Sequence, residues 1–255
     1  MQVWDYLTSK LPNEKIHLTL IDPNKQSPAV AAEMCKQAAE AGTDGIMVGG
    51  STGISQESFD ATIRAIKEST QLPVIIFPTN ANSLSKHADA LFFMSLLNSK
   101  NIKYITREQR YGARFVKQTG IEPISMGYII VSPGMKVGEV GEAELIGRDD
   151  IDESINYALL AEYYGMKLVY LEAGSGAPMP VSTEMVAAVK KNISIPLIIG
   201  GGIRTPEIAS EIAQAGADVI VTGTIVEVED SSNIVTTLGA IISSIKNLKG
   251  IRATP

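Results

Sequence analysis

The chain has 255 residues, 45% of them apolar and 20% charged, with a formal net charge of −6. That balance is globular, and the length suffices for a full core without disulfide or metal staples. The acidic balance, with no basic block, speaks against nucleic acid as a partner, and no apolar run reaches the ~20 residues of a membrane span. The lone cysteine, Cys35, has no internal disulfide partner, which suits a reducing cytoplasm, and the opening MQVWDYLTSK lacks the charged head and apolar run of a signal peptide.

In chain order, the first predicted element is a strand over Ile16–Ile21, ending at Asp22-Pro23. Ser27-Pro28, an N-cap followed by a first-turn proline, opens a helix that closes near Gly42. A strand over Gly45–Val48 runs into Gly49-Gly50-Ser51, and a helix over Gln56–Ser69 leads to a strand over Val74–Phe77. The next strand, Ala90–Met94, follows after only PTNANSLSKHAD. A βαβ crossover needs ~10–12 residues at minimum, so this gap predicts a thin place in the wall. A helix over Thr106–Thr119 stops at Gly120, and strands or helices then alternate as Ile124–Val131, Asp149–Tyr164, Leu168–Glu172, Ser182–Asn192, Pro196–Ile199, Pro206–Ala215, Val219–Val221 and Ser232–Leu248.

Continuous rather than alternating apolar runs indicate parallel strands covered on both faces. Eight of them alternating with helices mean a closed (β/α)₈ barrel or a doubly wound sheet. A weak repeat, EAGTDGIMVGGS over Glu40–Ser51 and QAGADVIVTGT over Gln214–Thr224, supports the barrel, although ordinary helix-to-strand loop grammar produces the same pattern. The fold expected is an α/β TIM barrel forming one domain over residues 1–255.

Each Gly-rich turn falls at the C-terminal end of a strand, where barrel active sites lie. Ala173-Gly174-Ser175-Gly176, Gly200-Gly201-Gly202 and Gly223-Thr224 follow the last three strands. Their backbone N–H groups suit a phosphate nest. Glu172 ends the sixth strand beside this nest, a position for a general base or for a carboxylate capping the rim. Tyr170, two residues earlier, faces the same side. Asp22 and Ser51, at adjacent strand ends, suit a shared hard cation such as Mg²⁺, while Asp before Pro equally suits a turn cap. His17, His87 and Cys35 are read as packing or surface residues.

The runs HLTLIDP from His17, VGGS from Val48, LNS from Leu97, YLEAGSG from Tyr170, GGGI from Gly200 and Gly223-Thr224 together resemble geranylgeranylglyceryl phosphate synthases, in order and through nearly the whole chain. The resemblance implies a barrel modified near its third helix. It also implies Mg²⁺-dependent transfer of the geranylgeranyl group of geranylgeranyl diphosphate to the 3-hydroxyl of sn-glycerol 1-phosphate, the first ether bond of archaeal-type membrane lipids. Asp22 and Ser51 would hold Mg²⁺ with the diphosphate. Tyr170, Leu171, Glu172, Ala173, Gly174, Ser175, Gly176, Gly201, Gly202, Gly223 and Thr224 would hold glycerol phosphate, with Glu172 as base and Tyr170 offering a π face to the allylic carbon.

The prenyl tail would leave through the thin wall after the third strand. Alternate residues of Leu91, Phe92, Phe93 and Met94 would line it, and Tyr111 and Phe115 would close it, with Tyr111 at the family's length-limiting place. Two positions depart from the pattern. Leu20 stands where bacterial heptaprenyl relatives tend to carry Lys, and Thr224 where the family often has Asn. Such barrels commonly assemble as dimers or hexamers. A phosphosugar isomerase or lyase would share the phosphate site without a prenyl pocket, and a non-catalytic phosphate-binding scaffold would not need Glu172 at the nest.

Overall fold

The computed structural model describes residues 1–49, 53–223, 233–246 and 248. Helix α1 (Val3–Lys10) precedes β1 (Ile16–Ile21), and α2 (Pro28–Glu40), β2 (Gly45–Gly49), α3 (Gln56–Ser69) and β3 (Val74–Phe77) follow. Then β4 (Ala90–Leu96) leads through a π-helical turn, Lys103–Arg107, into α4 (Glu108–Thr119) and β5 (Glu122–Ile130). The rest of the chain forms α5 (Met135–Val140), α6 (Ile151–Tyr163), β6 (Leu168–Glu172), α7 (Thr183–Asn192), β7 (Leu197–Gly200), α8 (Pro206–Ala215), β8 (Val219–Thr222) and α9 (Ile234–Lys246). The strands close a parallel barrel in sequence order, β8 pairing back to β1 through His17 opposite Ile220.

The helix starts follow capping chemistry. Ser27, Ser55, Asp150, Ser182 and Thr205 each accept an N–H from the residue three further on, occupying one of the donors a helix end leaves unpaired. Gly120 closes α4 in the left-handed conformation, φ 73°. Between Phe77 and Ala90 there is no helix, as the short gap predicts.

Alternation along the strands sorts the core. Ile16, Leu18, Met47, Ile75, Phe92, Met126, Tyr128, Ile130, Tyr170, Ile198 and Val219 fill the barrel interior. Their neighbours, such as Val169, Leu171 and Ile199 on one side and Ile46, Val48 and Ile76 on the other, pack in the shell between strands and helices.

At the N-terminal end one polar device recurs. Asp44, Asp89 and Asp218 stand just before β2, β4 and β8, and each carboxylate accepts the first or second backbone N–H of the preceding strand in the barrel. The donors are His17 at 2.9 Å, Val74 at 2.8 Å and Leu197 at 2.9 Å. Each also takes a lysine: Lys10 and Lys246 on Asp44, Lys67 on Asp89 and Lys190 on Asp218. The carboxylates thus pin register and close the floor. Helix α1 joins this floor, with Glu122 of β5 accepting the Val3 and Trp4 N–H groups. His17 is fully buried, its imidazole between the hydroxyls of Thr43 and Thr222 at 2.9 and 3.0 Å. Burial pushes its pKa down to about 3, so it is a neutral core residue.

Helices α1 and α5 escape the sequence reading. The first ends in a polar turn with no apolar strand before it. The second is six residues long and contains Gly138, too short to display a helical period.

Candidate functional site

Tyr170 and Glu172 alternate on β6 and both point into the barrel at its C-terminal end. Glu172 is 7% exposed. It accepts the Gly174 N–H at 2.6 Å on Oε1 and a hydrogen bond from the Tyr170 hydroxyl. Burial pushes its pKa above the ordinary glutamate value, while these two donors pull it back. The result is a carboxylate desolvated enough to be basic and anchored enough to be aimed. Burial, and then the nearby Glu172 carboxylate, hold both Tyr170 and Tyr128 well above the usual phenol range, so both remain neutral donors.

Two concavities meet at Glu172. The first is a small, glycine-lined cleft of about 40 Å³ between the ends of β6, β7 and β8, walled by Ser175, Gly176, Gly201, Gly202, Arg204 and Gly223 among others. Gly201 has φ +83°, and a Cβ there would press into Glu172 Oε1, so only glycine lets this turn approach the carboxylate. Arg204 donates to the carbonyls of Gly176 and Ala177 at 2.8 and 3.1 Å, bracing the turn from behind.

The second concavity is an apolar groove of about 230 Å³ that runs from Glu172 and Ser175 past Phe77 and Tyr128. It continues along Leu91, Phe92, Phe93 and Met94 to Leu84 and Gly112 of α4. Leu20, Glu172 and Ser175 belong to both concavities. Phe77, Tyr128 and Tyr170 form an aromatic cluster at their junction, with ring centroids 5.1 to 5.9 Å apart.

Of the residues expected from sequence, Tyr170, Glu172, Ser175, Gly176, Gly201, Gly202 and Gly223 come together at the cleft. Gly174 contributes through its N–H to Glu172. Leu171 and Ala173 do not reach it. They point outward, as strand alternation requires, and pack in the shell at 0% exposure. The Ala173 N–H and C=O are both spent, on Gly200 and Gly134.

Tyr111 and Phe115 also lie off the groove. Tyr111 is 62% exposed with Arg110 stacked over its ring, and Phe115 packs against the outer core. The reason is helix phase: Glu108, Gln109 and Gly112 face inward, and Tyr111 is a step of ~100° away from Gly112. All four of Leu91–Met94 line the groove rather than alternate ones, because with no helix between β3 and β4 the groove reaches the outer as well as the inner face of β4. Tyr128, Val137 and Val140 join the lining unforeseen. Tyr128 was legible as the middle of the inward set Met126, Tyr128, Ile130, whereas α5 left no such pattern.

Asp22 stands half-buried at the end of β1, with Oδ1 accepting the Asn24 N–H at 3.0 Å. Ser51 and Thr224 lie outside the described residues. Among the described residues no three of His, Cys, Asp and Glu cluster to hold a metal, and no helix is long and apolar enough to cross a membrane.

Comparison with known proteins places this arrangement among relatives. The model of the PcrB family matches residues 9–241. The geranylgeranylglyceryl phosphate synthase of Thermoplasma volcanium is 52% identical over 249 residues, 98% of this chain and 98% of that protein. The synthase of the same name from Thermococcus kodakarensis is 54% identical over 226 residues, 89% of this chain and 90% of that protein. The crystal structure of (S)-3-O-geranylgeranylglyceryl phosphate synthase from Thermoplasma acidophilum, in complex with its substrate sn-glycerol-1-phosphate, has a TM-score of 0.94 at 48% identity, covering 97% of this chain and 100% of that one.

Proposed function

Because the chain belongs to the PcrB family, we propose that it is a prenyltransferase joining the geranylgeranyl group of geranylgeranyl diphosphate to the 3-hydroxyl of sn-glycerol 1-phosphate. The observation that carries this reading is the meeting of a small glycine-lined cleft and an apolar groove at the buried Glu172. A phosphosugar isomerase or lyase has a use for the cleft but none for the groove.

The backbone N–H groups of the turns at Gly176, Gly201, Gly202 and Gly223 hold the phosphate, and the groove holds the apolar tail. The glycerol hydroxyl is thereby fixed beside Glu172 in line with the allylic carbon, the proximity contribution to the rate. Glu172 takes the hydroxyl proton as the new C–O bond forms and the allylic C–O bond to diphosphate breaks. Tyr170 and the Gly174 N–H hold the carboxylate in place throughout. The aromatic faces of Phe77, Tyr128 and Tyr170 stabilise positive charge developing on the allyl carbon.

Mg²⁺ fits the donor chemistry at the end of β1. Asp22 offers a half-buried carboxylate oxygen, and this cation takes one or two protein carboxylates and completes its shell with water and phosphate oxygens. Ser51 is the second candidate ligand. When bound, the ion neutralises charge on the diphosphate. A cytoplasmic homo-oligomer, dimer or hexamer, completes the reading.

The deciding experiment mixes the purified chain with both substrates and Mg²⁺ and follows diphosphate release together with the butanol-extractable ether product. Diphosphate released only when glycerol phosphate is present is the expected result. Turnover of a phosphosugar with no prenyl transfer would overturn the reading.

A further inference from the structure

The helix that walls the groove presents a different chemistry on its outer side. Between residues 100 and 117 the chain holds six cations, Lys100, Lys103, Arg107, Arg110, Arg114 and Lys117, against one carboxylate, Glu108, although the whole chain carries −6. Lys103, Arg107, Arg110, Arg114 and Lys117 recur at intervals of four, three, four and three, the spacing of a single helical stripe, and all five are exposed. Because they are spread by helical periodicity, they form no block in the linear sequence.

Glu108 is turned inward, where it accepts the Ala81 N–H at 2.7 Å and lines the groove. It lies 3.9 Å from Lys103. Among the described residues, Arg107, Arg110, Arg114 and Lys117 make no ion pair. Set into this stripe are Ile102 and Tyr111, 52% and 62% exposed, with the Arg110 guanidinium 4.6 Å from the Tyr111 ring centre.

We propose that this outer face of the π turn and α4 docks the protein onto an anionic lipid surface. Unpaired cations at helical spacing are drawn to the negative potential of such a surface. An exposed aromatic ring and an aliphatic side chain among them find the half-wet boundary that suits their chemistry. The charges complement the surface, and the opposite side of the same helix lines the apolar groove. Docking therefore holds the groove beside the phase in which long-tailed amphiphiles dissolve. A nucleic acid would meet the same cations but would leave Ile102 and Tyr111 without a role, on a chain that is acidic overall. The inference goes beyond the catalytic reading and is read out by vesicle binding, so the failure of one is distinguishable from the failure of the other.

The test is co-sedimentation of the full chain with unilamellar vesicles of phosphatidylcholine alone or with added phosphatidylglycerol. Binding is expected only to the anionic vesicles at ~0.1 M ionic strength and is lost at ~1 M, where the Debye length falls to about 3 Å. Arg107→Gln/Arg110→Gln/Arg114→Gln is expected to weaken partitioning about 100-fold, roughly fivefold per cation. The corresponding Lys triple variant retains it, and both variants turn over a short, water-soluble allylic diphosphate at the parental rate. Equal binding to neutral and anionic vesicles, or a Gln triple variant that binds like the parent, overturns the proposal. So does tighter binding to duplex DNA than to anionic vesicles. A change in oligomeric mass in the Gln variant also overturns it, by assigning the stripe to a contact between copies.

Discussion

At the scale of single residues, the proposed reaction depends on how Glu172 is held. A glutamate at 7% exposure pays for desolvation with a raised pKa, and the Tyr170 hydroxyl and Gly174 N–H moderate the rise. Glu172→Gln keeps the shape and removes the base, so turnover should fall roughly 10²–10⁴-fold, the usual worth of general-base catalysis. Calorimetric binding of glycerol phosphate should survive. Turnover close to the parental rate would sink the assignment.

The pH profile follows by sign. Glu172 must be ionised to accept a proton, so kcat/KM falls as pH drops through its folded pKa, and that limb lies above the ordinary glutamate value. Tyr170→Phe removes a hydrogen bond to the charged form, so the limb should move to higher pH. An unmoved limb in the pH–rate profile would mean that Tyr170 does not tune this carboxylate.

At the scale of elements, the informative feature is the helix missing between β3 and β4. Its absence lets the groove pass the outer face of β4 and reach α4, where Gly112 faces Leu84. A Cβ at Gly112 would sit 3.2 Å from Leu84 Cδ1, so a large side chain there must intrude on the groove or displace its wall. Gly112→Leu should therefore cut kcat/KM for geranylgeranyl diphosphate while sparing shorter donors. Tyr111→Ala, on the exposed face, should leave the length profile unchanged. Relative rates across donors of increasing length distinguish the two, and a Tyr111 effect equal to that of Gly112 would place the tail on the other face of α4.

At the scale of the molecule, the barrel separates its two ends. The C-terminal rim carries the cleft and the groove, and the floor carries the carboxylate–lysine network. Asp44 is the centre of that network, 2% exposed, tied to Lys10, Lys246 and the His17 N–H. Asp44→Ala breaks a buried pairing and leaves a strand N–H unpaired, at a cost of about 2–4 kcal/mol with the lysines partly hydrated. In a chain of this size each kcal/mol shifts Tm by about 2–4 °C. Calorimetry should show Tm falling by roughly 5–15 °C on that scale, with kcat unaltered below the transition. A loss of kcat without loss of Tm would mean that the floor reaches the site.

What the sequence alone determined is what depends on neighbours along the chain. Period-two alternation put Tyr170 and Glu172 on one side of their strand, apolar runs and caps set the order of strands and helices, and glycines after the last three strands marked the turns that line the cleft. Even the missing helix was legible, because chain length limits what a connection can contain. Tertiary structure decided what depends on rotation and closure. One step of helix phase separates Gly112, in the groove, from Tyr111, outside it, and no pattern in residues 106–119 says which side of α4 meets β4. The joining of groove and cleft at Glu172 required Leu20, Tyr128 and Ser175, distant in sequence, to be brought together. Barrel closure does that, by pairing β8 to β1 and carrying the strand ends onto one rim.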